Sequence, residues 1–153
     1  MITRREDDAN DGHTNYNVEE ALGRKFTILG PPVAWKRAGL NKKSSTFYDT
    51  QKTEKIAAGL QLKVQMAGLE PYANKPIKVM FIFFMPISKA AAKRGVKPGQ
   101  YHFSDPDTSN LVKFYEDAMV DCGLLDNDNI LAHETSAKIY SDDPGVAIYI
   151  REL

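Results

Sequence analysis

The chain has 153 residues, 42% of them hydrophobic, with 20 Lys and Arg against 20 Asp and Glu and a single cysteine. That length suits one domain with a proper core. One cysteine, Cys122, excludes an internal disulfide, no zinc-type Cys/His spacing occurs, and the longest apolar run, residues 79–86, is too short to cross a bilayer.

Residues 1–23 are polar and acidic and are expected to form a flexible extension ahead of one domain over residues 24–153. The extension has no apolar stretch behind Arg4 and Arg5, so it does not read as a secretory signal. The lone cysteine fits a reducing interior, cytoplasm or host cell.

Residues 26–29 read as a first strand, stopped by Gly30-Pro31-Pro32. Residues 34–47 are expected to be a long basic loop carrying Trp35, Lys36, Arg37, Lys42 and Lys43. Residues 50–67 read as a helix, with Ile56, Leu60, Val64 and Ala67 as its apolar stripe and Gly68 as its end. Residues 77–86 begin with alternation, become continuously apolar, and read as a central strand. Residues 87–103 form a second basic loop with a helical turn at Ala90-Ala91-Ala92. Thr108 or Ser109 is expected to cap a helix to about Asp121. Leu111, Phe114, Ala118, Met119 and Cys122 should face the core, with Gly123 as the stop. Residues 130–140 and 146–150 read as strands around a turn at residues 141–145. The expected fold is α+β, a two-layer sandwich with helices packed on one face of a mixed β-sheet.

Charge is unevenly spread along the chain. Between residues 105 and 130 lie Asp105, Asp107, Glu116, Asp117, Asp121, Asp126 and Asp128 against one lysine, Lys113, a local excess of six negative charges. Carboxylates so concentrated suit a hard divalent cation, Mg²⁺ or Mn²⁺. Residues 24–63 and 87–100 are strongly basic by contrast. Cations to hold phosphates and carboxylates to hold a metal are the two needs of a nuclease.

Pro106-Asp107-x-x-Asn110-Leu111-x-Lys113, then Asp117-Ala118, Gly123, the Asp126-Asn127-Asp128 cluster, Lys138 and Pro144-Gly145 resemble the RusA family of Holliday junction resolvases. The likeness extends weakly to Pro31-Pro32, Lys36-Arg37 and Phe47-Tyr48, and so covers roughly residues 25–152. It implies a small homodimer that cuts four-way DNA junctions in DNA recombination and repair, with Mg²⁺ as cofactor and Mn²⁺ as a substitute. The resemblance places the family's essential aspartate on Asp107 and its lysine on Lys113. The second aspartate of the family's motif falls on Ser109, a poorer, neutral ligand. The later acidic position falls on Asp126 or Asp128: counting forward from Lys113 favours Asp128, and counting back from Ile130 favours Asp126. Asp105 is placed to restore the charge lost at Ser109.

The expected catalytic set is therefore Asp107, Lys113, Asp128 and Asp126, and the expected metal ligands are Asp107, Asp128, Asp126 and Asp105. Ser109, Asn110 and Asp117 should support them, with Asp117 one turn beyond Lys113 to orient it. Lys36, Arg37, Lys42, Lys43, Lys93 and Arg94 are the expected DNA contacts, with Trp35, Phe47 and Tyr48 available to stack on unpaired bases. Plainer readings stand beside these: Asp107 as a helix cap, Lys113 and Asp117 as a surface ion pair, residues 126–129 as a polar turn. A second functional reading is a junction-DNA-binding protein that lost catalysis with the ligand at Ser109.

Overall fold

The computed structural model describes residues 21–153. The extension expected over residues 1–23 thus falls almost wholly outside the described residues. In chain order the elements are β1 (Arg24–Leu29), β2 (Gly39–Asn41), β3 (Thr46–Tyr48), α1 (Lys52–Gln65), β4 (Ile77–Pro86), α2 (Lys89–Lys93), α3 (Thr108–Asp121), a 3-10 turn (Asp128–Ile130), β5 (Leu131–Ser141) and β6 (Gly145–Glu152).

The main sheet has the order β1-β6-β4-β5. It is mixed: β4 runs parallel to β5 and antiparallel to β6, and β6 is antiparallel to β1. A parallel pair needs a long crossover, and the segment carrying α3 supplies it. Along β4 the side chains alternate. Ile77, Val79, Phe81, Phe83 and Met85 are buried, and they share one core with Leu111, Phe114, Tyr115, Ala118 and Met119 of α3 and Ala58 and Leu62 of α1. The result is the expected α+β sandwich. β6 comes last in the chain but lies inside the sheet, and Gly145, Val146, Ala147 and Ile148 are buried in succession. Strict alternation is absent over those four residues, although the equally internal β4 keeps it.

Both sheet edges are covered, which satisfies backbone groups that would otherwise be free to pair with another chain. On the β1 edge, the Leu29 and Thr27 N–H groups donate to the side-chain oxygens of Gln61 and Gln65, each at 2.8 Å, and the Gln65 amide donates back to the Thr27 carbonyl at 2.7 Å. On the β5 edge, residues 99–102 lie alongside the strand. Gly99 donates to the Tyr140 carbonyl, Tyr140 to that of Gln100, and His102 to that of Lys138, at 2.9, 2.9 and 3.0 Å.

The glutamine lacing corrects the expected face of α1. Ile56, Leu60 and Val64 are 52%, 57% and 79% exposed, while Ala58, Gly59 and Leu62 are buried. Turning Gln61 and Gln65 to the strand edge directs the apolar stripe outward. Small residues then allow close packing on α3: a Cβ on Gly59 would meet the Cβ of Cys122 at 3.0 Å.

The basic loop expected over residues 34–47 contains structure. β2 and β3 form a separate antiparallel hairpin with Gly39 opposite Tyr48 and Leu40 opposite Phe47. The Tyr48 ring lies over Gly39, where a Cβ would come within 2.3 Å of it, so a side chain there would push the exposed Tyr48 ring aside. Lys42 and Lys43 occupy the hairpin turn. The cap of α3 is also corrected: the N-cap position is Asp107, one residue before Thr108. At the other end Gly123, at φ +83°, makes the left-handed stop.

Candidate active site

Asp107 sits at the N-terminal end of α3 in extended backbone, and its side chain makes no capping hydrogen bond. Its carbonyl accepts from Leu111 N at 3.3 Å and so begins the helix. The carboxylate is left exposed and uncommitted beside the positive end of the helix dipole. A residue present only as a cap would spend its oxygens on the helix N–H groups. Asp105, Ser109 and Asn110 are exposed around it.

The loop into Asp107 is held by β5. Lys138 Nζ donates to the Ser104 and Pro106 carbonyls at 2.6 and 2.7 Å. His102, in the same loop, packs on Tyr140 with ring centroids 4.7 Å apart. Burial, then the Lys138 charge, holds the His102 imidazole below its usual pKa.

Lys113 lies farther along α3 on the exposed surface, with Nζ 5.1 Å from the centre of the Trp35 ring. The Trp35 backbone is fixed in turn, because its main-chain N–H donates to the Asn110 carbonyl at 2.9 Å. Gln51, the buried residue ahead of α1, ties down the flanking chain. Its side chain accepts from Lys36 N at 2.8 Å and donates to the Ala34 carbonyl at 2.7 Å. The basic segment is thereby anchored against the helix that carries Asp107 and Lys113. Lys36, Arg37, Lys42 and Lys43 are exposed in and around the hairpin, and Lys93 and Arg94 are exposed at the end of α2.

Asp117 does not pair with Lys113. Its partner is Lys55 of α1, at 3.5 Å, and Lys55 also meets Asp49 at 3.0 Å. Burial opposes the Lys55 charge, but the Asp49 hydrogen bond and the Asp117 field outweigh it and raise its pKa. Sequence spacing offered no sign of Lys55, since the pairing crosses between helices.

Asp126 and Asp128 follow α3. Asp126 N–H donates to the Tyr72 carbonyl at 2.9 Å, and Asp128 opens the 3-10 turn. The Asn127 side chain accepts from Asn129 N at 2.9 Å, so the polar-turn reading of this segment also holds. Glu116 was not among the expected site residues. Burial, then the charges of Asp128, Glu134 and Asp117, raises its pKa. The field there is negative and incompletely neutralised. Glu116 lies nine residues beyond Asp107, about 13 Å along the axis. Of the expected ligands, Asp105 and Asp107 precede α3 and Asp126 and Asp128 follow it, and among the described residues no three His, Cys, Asp or Glu side chains come together as a metal-ligand group. In chemistry the donors fit a hard divalent cation, being exposed carboxylates in a negative field.

A model of the endodeoxyribonuclease RusA family matches residues 30–151. The chain belongs to the RusA endodeoxyribonuclease family. The match spans the hairpin, the Asp107 loop, α3 and the last two strands, and it carries with it endonuclease action on branched DNA of the Holliday junction type. No curated protein matches the chain. Among the described residues no helix is long and apolar enough to cross a membrane.

Proposed function

We propose that the chain is a metal-dependent endodeoxyribonuclease that resolves four-way junctions by paired cuts, with its active site at the N-terminal end of α3. The uncommitted carboxylate of Asp107 at a helix start is the observation that carries the reading. Asp107 would anchor Mg²⁺ or Mn²⁺. Sites of the Mg²⁺ type hold the ion through one or two carboxylates with several waters kept, and Asp105, Asp126 and Asp128 are the candidates for the second carboxylate. The ion would supply Lewis-acid polarisation of the scissile phosphate. Lys113, kept on the surface beside Trp35, would meet the negative charge that builds on the phosphate or the leaving oxygen. Lys36, Arg37, Lys42, Lys43, Lys93 and Arg94 would hold the DNA backbone, and exposed Phe47 and Tyr48 offer faces for unpaired bases. Two sites are needed for paired cuts, and the exposed Ile56, Leu60 and Val64 stripe supports pairing of two copies. A reducing, cytoplasmic setting fits the single cysteine.

The spread of the carboxylates and the serine at position 109 favour a second reading, a junction binder without catalysis. One gel assay separates the two. Purified protein is mixed with a labelled four-way junction or a matched linear duplex, with Mg²⁺, with Mn²⁺ or with EDTA. Metal-dependent paired nicks confined to the junction support the resolvase. A retarded junction band without cutting supports the binder, and in that case Ser109→Asp should create cutting.

A further inference from the structure

We infer that Lys138 is a positioning residue of this active site: its ammonium fixes the loop that delivers Asp107. The inference rests on the active-site assignment proposed above. Lys138 stands on β5, the outer strand of the sheet, and residues 99–102 pair along that strand's outer edge. Regular backbone pairing of this segment ends at His102, whose N–H meets the Lys138 carbonyl at 3.0 Å. Beyond that point, besides a Ser104 hydroxyl contact with His102 Nε2 at 3.3 Å, no backbone pairing holds residues 103–106. Phe103 is 88% exposed, and Ser104 and Asp105 are exposed too. The Lys138 side chain takes over from its own backbone. Two of its three N–H donors reach the Ser104 and Pro106 carbonyls, at 2.6 and 2.7 Å. Both distances are at the short end for an ammonium donor, and charge-assisted bonds are the stronger kind. Pro106 immediately precedes Asp107. One ammonium therefore fixes two of the three residues before the carboxylate, and a neutral side chain of the same length could not.

A loop held this way determines where the Asp107 carboxylate rests before any ion or DNA arrives. Residues that orient a metal ligand typically change metal affinity by about 10- to 100-fold when removed. Lys138→Met keeps the length of the side chain and removes the donors. Lys138→Arg keeps the charge and the ability to reach two carbonyls.

The experiment uses the full-length chain and measures Mn²⁺ binding by titration calorimetry, junction binding in EDTA, thermal midpoint, and single-turnover junction cutting over a range of Mn²⁺. For Lys138→Met the expected results are roughly tenfold weaker Mn²⁺ binding, junction affinity in EDTA within about twofold of the unaltered protein, and cutting that recovers as Mn²⁺ is raised. Lys138→Arg should restore most of the Mn²⁺ affinity. A purely structural tie would lower the thermal midpoint without this rescue by metal, and a DNA contact would weaken junction binding in EDTA; either pattern overturns the inference. So does a Lys138→Met protein with unaltered Mn²⁺ affinity and cutting. If that variant does not fold, Lys138→Gln, with a shorter reach, is read by the same criteria. An unaltered protein that neither binds Mn²⁺ nor cuts would instead overturn the active-site assignment itself.

Discussion

The Lys113 ammonium lies 5.1 Å from the centre of the Trp35 ring, which joins the basic N-terminal segment to the helix that carries the candidate active site. The contact is worth about 0.5–1 kcal/mol at an exposed site, small for stability but enough to bias where a flexible side chain rests. Trp35→Leu is therefore expected to leave the fold intact and to slow single-turnover junction cutting roughly tenfold, since positioning errors near 1 Å are costly. Stopped-time gel kinetics at saturating protein checks this. Unchanged kinetics would show that Lys113 needs no platform.

Lys55 joins α1 to α3 through Asp117 at 3.5 Å and reaches Asp49 at 3.0 Å. Both acids are partly solvated, so the pairs are screened and their worth is discounted. Lys55→Met is expected to cost less than about 1 kcal/mol in 50 mM salt. The deficit should shrink in 1 M salt. Urea titrations at the two salt concentrations measure it, and a deficit that grows with salt would contradict the electrostatic account.

Tyr115 is buried, and its hydroxyl oxygen accepts from Val33 N–H at 3.0 Å. Burial pushes the phenol up to about 12. The folded state then keeps a proton that the unfolded state releases near the ordinary tyrosine pKa. This contribution to stability is intact below that ordinary value and is lost as pH rises toward the folded one. Tyr115→Phe should cost roughly 1–2 kcal/mol at neutral pH by orphaning the Val33 N–H, and the gap should narrow in alkali. Denaturation at pH 8 and pH 11 tests both parts; a gap that widens in alkali would reverse the sign.

The exposed stripe of Ile56, Leu60 and Val64 predicts self-association through α1. Leu60→Asp should shift sedimentation from dimer to monomer with little change in far-ultraviolet circular dichroism. A variant that remains dimeric would place the interface elsewhere.

Much of this was legible in the sequence. β4 was readable because its alternation and length leave one interpretation, and α3 because Leu111, Phe114, Ala118 and Met119 repeat at helical spacing. The face of α1 was not. Its periodicity is genuine, but Gln61 and Gln65 spend their polar groups on the β1 edge rather than on water, and sequence pattern treats every glutamine as solvent-facing. The hairpin was hidden because its strands have only three residues each, too short for a period of two to show. For the candidate site, Asp107 and Lys113 were proposed from the motif that resembles the RusA family, since that motif is local in sequence. Lys138, Lys55 and Gln51 were not recognised for their parts there, because each acts across the fold on groups distant in sequence.

The central claim is that Asp107 supplies chemistry rather than a helix cap. Its direct test is Asp107→Asn assayed for junction binding in EDTA and junction cutting in Mn²⁺, beside the unaltered chain. Asparagine is as good a cap as aspartate, so helix stability is held nearly constant. The account predicts junction affinity equal to or above that of the unaltered chain, with cutting abolished. Cutting at the unaltered rate would remove Asp107 from the active site and contradict the account.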